Sequence, residues 1–124
     1  MRQELDEALV RDFPNLFANR HSKKAPLCWG FECGDGWEPL IRALAVEVEA
    51  IIVALPEAER ADVKAVQVKE KFGTLRFYMA GGNDDIYAAI QRAEKVSAET
   101  CEQCGSAGKI RSGGWIRVLC DSHE

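Results

Sequence analysis

Four residues with metal-ligating side chains form two pairs of equal spacing in the last quarter of the sequence. Cys101 and Cys104 are three positions apart, and after fifteen intervening residues Cys120 and His123 repeat that separation. Thiolate and imidazole groups are the usual ligands of Zn²⁺, and two closely spaced pairs can complete its tetrahedral coordination. The spacing therefore predicts one zinc ion bound by Cys101, Cys104, Cys120 and His123.

This ligand set predicts a structural role for the zinc ion. A catalytic zinc site keeps one coordination position open for water or substrate, whereas three cysteines and a histidine close the tetrahedron. Thr100 stands where a nucleotide deaminase has proline before its CxxC pair, and the chain has no HExxH motif and no Gly-rich phosphate loop. An HNH-type nuclease would need a further, non-ligating histidine between the ligand pairs. The sequence thus predicts a protein that is not an enzyme and has no small-molecule substrate.

The segment between the two ligand pairs predicts a β-hairpin that brings them to one point. Ile110 lies on one arm, residues 112–114 read Ser-Gly-Gly and supply a turn, and apolar residues follow on the second arm. These apolar residues are Trp115, Ile116, Val118 and Leu119. Gly105, directly after the CxxC pair, lets the backbone fold back so that its amides face the thiolates.

A helix and a long loop are predicted for the N-terminal part of the chain. Residues 3–18 have apolar side chains at near-helical spacing, but Pro14 is expected to end the helix near residue 12. Residues 19–36 are rich in small, polar and turn-forming types, yet they include Trp29 and Phe31. Because so long a loop rarely lies free, we expect its aromatic residues to pin it to the core.

Residues 35–55 carry the clearest helical pattern in the chain. Asp35 is placed to cap the first amides, Pro39 is tolerated at an early helical position, and an apolar stripe follows at helical spacing. Trp37, at the start of this stripe, is predicted to lie in the core.

An antiparallel strand pair and another helix are predicted next. Val66 and Val68 fall on one face of the first strand, a turn contains Gly73, and the second strand alternates through Leu75, Phe77 and Met79. Asn83 then caps a helix that leads to the first cysteine of the metal site. Its predicted inward-facing residues are Ile86, Ala89, Ile90, Ala93 and Val96.

These elements together predict a small α+β protein. Helices pack on a short antiparallel hairpin within one domain, 1–124, composed of a core over 1–100 and a zinc-binding appendix over 101–124. A chain of 124 residues that is 47% hydrophobic can form one such core. No signal-peptide run opens the sequence, and the longest apolar stretch, AIIVALP, is too short to cross a bilayer. We therefore expect a cytoplasmic protein without membrane contact, in which cysteines bind metal rather than each other.

Cys28 and Cys33 are separate from the zinc ligands in the sequence. With His21 they could form a second metal site or a nucleophile with its base. Their neighbours Trp29 and Phe31 are equally compatible with packed, half-buried thiols, since cysteine reactivity depends on surroundings. Both interpretations remain open at this stage.

The charge of the chain is unevenly distributed. The net charge is −4, and the first 60 residues carry 7 basic and 11 acidic side chains whereas the remainder carries 9 of each. A strongly basic nucleic-acid-binding protein would have a different balance, because phosphate contacts need clustered Lys and Arg. The acidity favours a protein partner with a basic surface over a nucleic acid.

Three segments together resemble a group of small, uncharacterised proteins of bacteriophages and prophages. The segments are GWEPLI, VKEKFGTLRFY, and CEQCG followed by GGWIRVLCDSH, and the resemblance covers residues 36–123. The zinc hairpin is itself similar to a zinc ribbon or treble clef, modules of both nucleic-acid and protein binders. The resemblance implies a phage-type protein in a bacterial host cell. Such proteins commonly act by occupying a host macromolecule, for example as a modulator or inhibitor of a host defence system such as CRISPR.

Two functions follow as expectations. The first is binding of a host protein through the exposed part of the loop that holds Trp29 and Phe31. The second is binding of nucleic acid, in a regulator of transcription or replication, through basic residues of the zinc hairpin and of the strand pair. The basic residues are Lys109, Arg111 and Arg117 with Lys69, Lys71 and Arg76.

Overall fold

The computed structural model describes all 124 residues of the chain. It has four helices and two separate two-stranded antiparallel sheets, which confirms the α+β class. The elements are α1 (Gln3–Asp12), α2 (Glu38–Val53), α3 (Glu57–Arg60), β1 (Ala65–Lys71), β2 (Thr74–Met79), α4 (Asp84–Ser97), β3 (Lys109–Arg111) and β4 (Arg117–Leu119). Three single turns of 3₁₀ helix at Ala18–His21, Pro26–Trp29 and Asp35–Trp37 lie between α1 and α2. No helix of the chain combines the length and the apolar character needed to cross a membrane.

The loop between α1 and α2 is fixed to the core, as predicted. α1 ends at Asp12, two residues before Pro14. Phe31 is only 3% exposed and its ring meets that of Phe17 edge to face, with centroids 4.9 Å apart. Trp29, by contrast, is 80% exposed. The prediction that Phe31 belongs to a partner-binding surface is therefore wrong, because its aromatic ring is used in the core.

α2 begins later than its sequence pattern predicted, and Asp35 does not cap it. The helix starts at Glu38 after the 3₁₀ turn, and no side chain caps its first amides. The Asp35 carboxylate instead accepts the backbone N–H of Arg2 at 2.7 Å and pairs with the Arg2 guanidinium at 2.9 Å. Trp37 is fully buried, which confirms its predicted place in the core.

β1 and β2 form a hairpin closed by the two-residue turn Phe72-Gly73. Val68 faces Phe77 across the pair, and both side chains are buried. Val66 is only half-buried, because an irregularity between Ala65 and Gln67 interrupts the predicted alternation.

Both edges of this hairpin are covered. Glu32 exchanges two backbone hydrogen bonds with β1. On β2, the N–H groups of Leu75 and Phe77 donate to side chains of α4, namely to Ser97 Oγ at 2.9 Å and to Glu94 Oε2 at 3.2 Å. Backbone groups on both strand edges are therefore paired within the chain, which disfavours pairing of this sheet with another chain.

α4 packs on α2 and β2 and delivers the chain to the metal ligands. The Asn83 side chain accepts the N–H of Ile86 at 2.9 Å, which confirms the predicted N-cap. Val96 is half exposed, so its predicted inward orientation is wrong. The other predicted inward residues of α4 are buried.

Candidate metal centre and neighbouring surfaces

The four predicted ligands meet at the C-terminal end of the chain. Their ligand atoms all lie within 4.8 Å of one another, although 22 positions separate the first from the last. Sγ of Cys104 is 3.7 Å from Sγ of Cys120, and Nδ1 of His123 is 3.1 Å from Sγ of Cys120 and 3.9 Å from Sγ of Cys101. Ordinary Zn–S and Zn–N bonds give tetrahedral edges of about 3.5–3.8 Å. The Cys₃His cluster therefore has the size of a closed tetrahedral site and could hold a metal ion.

Local backbone geometry shapes the first ligand pair. The N–H of Gly105 donates to the carbonyl of Cys101 at 2.9 Å, and Gly105 has a φ of +84°, which glycine adopts without strain. The N–H of Cys101 donates to the carbonyl of Ser106 at 2.7 Å. The segment 101–105, named here the knuckle, is thus a tight turn, and the backbone of Gln103 and Cys104 within it hydrogen-bonds to the Cys101 thiol.

Backbone hydrogen bonds favour the thiolate form of Cys101. Burial raises the pKa of this thiol, but hydrogen bonds from the backbone of Cys120, Cys104 and Gln103 outweigh that effect and lower the pKa to about 6. Burial, together with the neighbouring thiols, raises the pKa of Cys120. At neutral pH Cys101 is therefore ready to act as an anionic ligand.

β3 and β4 bring the second ligand pair back to the knuckle. Their three residue pairs run from Lys109 opposite Leu119 to Arg111 opposite Arg117, which confirms the predicted hairpin. Trp115 and Ile116, predicted to lie on the second arm, belong instead to the connection before β4. The N–H of His123 donates to the carbonyl of Cys120 at 3.1 Å, so the second pair also lies in a tight turn.

Arg111 fixes the last turn of the chain instead of pointing to a partner. Its guanidinium donates to the carbonyl of Leu119 at 3.2 Å and pairs with Asp121 at 2.8 Å and Glu124 at 2.5 Å. Its side chain is 18% exposed. These contacts raise the pKa of Arg111, first through its hydrogen bond to Asp121. The sequence did not predict that Arg111 stabilises the segment containing Cys120 and His123.

The knuckle is packed against the segment that precedes α2. The N–H of Gly36 donates to the carbonyl of Glu102 at 2.8 Å, and Trp37 Nε1 donates to the carbonyl of Thr100 at 2.9 Å. A side chain on Gly36 would overlap the carbonyl of Cys101 and lie 2.6 Å from the amide nitrogen of Cys104. Only glycine allows this approach, so the metal centre and the helical core share one junction.

Glu102 completes this junction from inside the knuckle. One carboxylate oxygen accepts the N–H of Gly34 at 2.9 Å, and the residue is buried. The other oxygen has no hydrogen-bond partner and lies 3.7 Å from the Arg117 guanidinium. Arg117 therefore balances a buried negative charge beside the metal ligands, in addition to any role at the surface.

Cys28, Cys33 and His21 form no second metal site, since the four C-terminal ligands are the one group of this kind in the chain. Cys33 is buried, and burial raises its pKa to about 12. Such a thiol is a poor nucleophile and a poor ligand at neutral pH. Of the two interpretations left open by the sequence, the packed thiol describes Cys33.

The turns of the two hairpins lie side by side and form a surface that the sequence analysis did not single out. Phe72 is 67% exposed and Trp115 is 75% exposed. Together with Glu70, Gly114 and Ile116 they line an open cleft of about 300 Å³. We name these five residues the tip cleft. One signal was present in the sequence, because Phe72 precedes Gly73 where a two-residue hairpin turn favours asparagine.

Three basic residues share the outer face of the β1–β2 hairpin. Lys69 lies opposite Arg76, and Lys71 follows two positions along the same face, on the opposite side from the buried pair Val68 and Phe77. None of the three forms an ion pair with an acidic side chain. We call Lys69, Lys71 and Arg76 the basic face.

Comparisons with known proteins identified no relative of this chain. No family model matches the chain, no curated protein matches its sequence, and no solved structure matches it. The functional conclusions therefore depend on the Cys₃His cluster, the tip cleft and the basic face themselves.

Proposed function

We propose that the Cys₃His cluster holds one structural zinc ion. Three thiolates and an imidazole are the donor set that Zn²⁺ prefers, and a fourth protein ligand leaves no position for a reacting water. Cys101 and the adjoining Glu102 are buried at the junction with the core. The zinc ion would therefore connect the last hairpin to the core and take no part in chemistry.

We further propose that the protein is not an enzyme and that it binds nucleic acid through its two hairpins. The observation that carries this proposal is the basic face, where three cations lie on one strand pair without an acidic partner. Residues 64–79 contain four basic and one acidic side chain, and residues 109–119 contain three basic and no acidic side chain. Because the whole chain has a net charge of −4, the residues outside these two segments carry a net charge of −10.

Unpaired cations on a rigid sheet are suited to phosphate groups. No carboxylate of the chain forms an ion pair with the basic face. A phosphate group would supply the missing negative charge. Uneven charge of this kind also orients an approaching polyanion toward the hairpins and away from the acidic helices.

A host protein is the second candidate partner. The resemblance to phage proteins and the exposed ring of Trp29 favour it, and an inhibitor of a host defence system in the bacterial cytoplasm would be one such function. Its proposed surface is smaller than the sequence indicated, because Phe31 is buried. We rank it second for that reason.

Nucleic-acid binding is tested by fluorescence anisotropy with a labelled oligothymidine and a matched duplex, over about 50–200 mM salt. Wild type should bind with a negative slope of log affinity against log salt. The double variant Lys69→Gln/Lys71→Gln should bind more weakly and lower the slope on the single strand by about 1.4, which is about 0.7 for each phosphate contact. Lys23→Gln/Lys24→Gln is the matched control, since it removes the same charge from the loop before Trp29.

The two candidate partners predict opposite results when capture of a host protein is measured beside nucleic-acid binding. If wild type binds neither nucleic acid at the lowest salt, and a host protein is captured in a manner that requires Trp29, the nucleic-acid proposal is wrong. If the two double variants lose affinity equally, the binding depends on overall charge and the basic face is not the site.

A further inference from the structure

Phe72 occupies a backbone conformation that its residue type does not favour. Its φ is +53°, and it is the one residue other than glycine in the chain with a positive φ. Side chains with a Cβ atom are strained in this region, and asparagine or glycine is the usual occupant of such a hairpin turn. An aromatic residue can offset that strain by burying its ring, but this ring is 67% exposed. Folding of the chain alone therefore does not account for phenylalanine here.

Trp115 faces the same cleft from the other hairpin. Its ring is 75% exposed, and it follows Gly113 and Gly114, where an added Cβ atom would meet nothing within 4 Å. The two turns are in contact, since a Cβ on Gly73 would be 3.1 Å from Cγ2 of Ile116. This contact between the turns holds the two exposed aromatic residues at one cleft.

The size and charge of the tip cleft indicate what it can hold. Its volume of about 300 Å³ is at the lower end of the range for ligand pockets, which suits one planar group. Lys71 Nζ lies over the Phe72 ring, 5.7 Å from its centre, and has no acidic partner, so a cation lies against this aromatic surface. Glu70 is the one acidic residue of the cleft, and its Oε2 accepts the N–H of Gly73 at 2.7 Å. This carboxylate therefore holds the turn, and an anionic group must lie on the Lys71 side.

We propose that Phe72 and Trp115 form a stacking platform for an unpaired base of single-stranded nucleic acid, with Lys71 contacting the adjoining phosphate. Aromatic rings beside cations are the usual means of binding single strands, because every base offers a π-face. A duplex keeps its bases stacked on one another and cannot place one in the cleft. This inference rests on the proposed nucleic-acid binding and adds the strand type and the residues that select it.

The test measures binding of a labelled oligothymidine of about 12 nucleotides and of the corresponding duplex, by anisotropy at constant salt. Trp115→Ala should weaken single-strand binding by about 5- to 140-fold, the range that one stacked base provides, and should leave duplex binding within about twofold. Trp29→Ala is the matched control, since Trp29 is similarly exposed but lies in the loop before α2. It should bind both nucleic acids as wild type does.

Phe72→Asn separates a binding role from a structural one. Asparagine suits the positive φ, so this variant should keep or increase its melting temperature while losing single-strand affinity to a similar extent. Loss of affinity with no loss of stability supports the platform. Normal single-strand binding by both Phe72→Asn and Trp115→Ala overturns it. If Lys69→Gln/Lys71→Gln still weakens binding in that case, the proposed function survives without the platform, and if wild type binds no nucleic acid, both proposals are wrong.

Discussion

Replacing Gly36 with alanine should separate the metal centre from the helical core. The new methyl group would overlap the backbone of the knuckle, which includes the amide nitrogen atoms of Cys104 and Gly105 at 2.6 Å. Backbone atoms cannot move aside as a flexible side chain can, so the two segments must move apart. Gly36 has no positive φ, and the substitution therefore tests the close approach and not backbone strain.

The magnitude follows from the contacts that would be lost. The amide of Gly36 and the indole N–H of Trp37 each make a hydrogen bond between neutral groups, and the amide of Gly34 makes one to the Glu102 carboxylate. At about 1 kcal/mol for each neutral bond and about 1.5 kcal/mol for the charged one, separation costs about 3–4 kcal/mol. This is a large part of the typical free energy of unfolding of about 5–15 kcal/mol.

Urea unfolding of the zinc-loaded protein, followed by tryptophan fluorescence, measures this loss. A chelator competition on the same samples measures zinc affinity, which should fall in Gly36→Ala because the knuckle loses its support. Gly82→Ala is the control, since a methyl group there meets mainly side-chain atoms of Tyr87 and Ile86. If the two variants unfold at the same urea concentration and hold zinc equally well, our account of the junction is incorrect.

Three further outcomes are expected. Metal analysis should find one zinc ion per chain, which Cys104→Ser removes, and intact metal content in that variant would contradict the ligand assignment. Chelation should disorder the chain after residue 100 while circular dichroism retains the signal of α2 and α4. Phe72→Asn should raise the free energy of unfolding, measured in urea, by about 0.5–1 kcal/mol because it relieves the left-handed strain. A lower free energy of unfolding in this variant would show that the phenylalanine ring stabilises the fold. Iodoacetamide at pH 8 should modify the half-buried Cys28 well before the buried Cys33. The pKa of about 12 leaves about one Cys33 thiol in ten thousand as thiolate at that pH. Equal modification rates of the two cysteines by mass spectrometry would refute the burial of Cys33.

Local chemistry explains why much of the fold could be predicted. Pro14 ends α1 through its own ring, Asn83 caps α4 through its own side chain, and Gly73 lies in the β1–β2 turn. Each effect acts within a few residues, so the sequence is enough to locate it. Asp35 is the exception, because the backbone amide of Arg2, 33 positions away, takes the carboxylate that the local pattern assigned to a helix cap.

The four candidate metal ligands were also recognisable from spacing, because two short pairs joined by a hairpin can converge without help from the rest of the chain. The sequence did not reveal how the knuckle is supported. Gly36 is a glycine because of the backbone of Cys101 and Cys104 opposite it. That contact joins positions 65 or more residues apart, and no local pattern encodes it.

Periodicity, capping and spacing act between near neighbours, and they were enough to predict the longer helices, the two hairpins, the α+β class and the four candidate ligands. The availability of aromatic and basic residues at the surface follows instead from the packing of distant segments. It buries Phe31 against Phe17, commits Arg111 to Asp121 and Glu124, and brings Phe72 beside Trp115. Exposure and ion pairing depend on which distant segments meet, because a side chain lies in the core, in an ion pair or at the surface according to its neighbours.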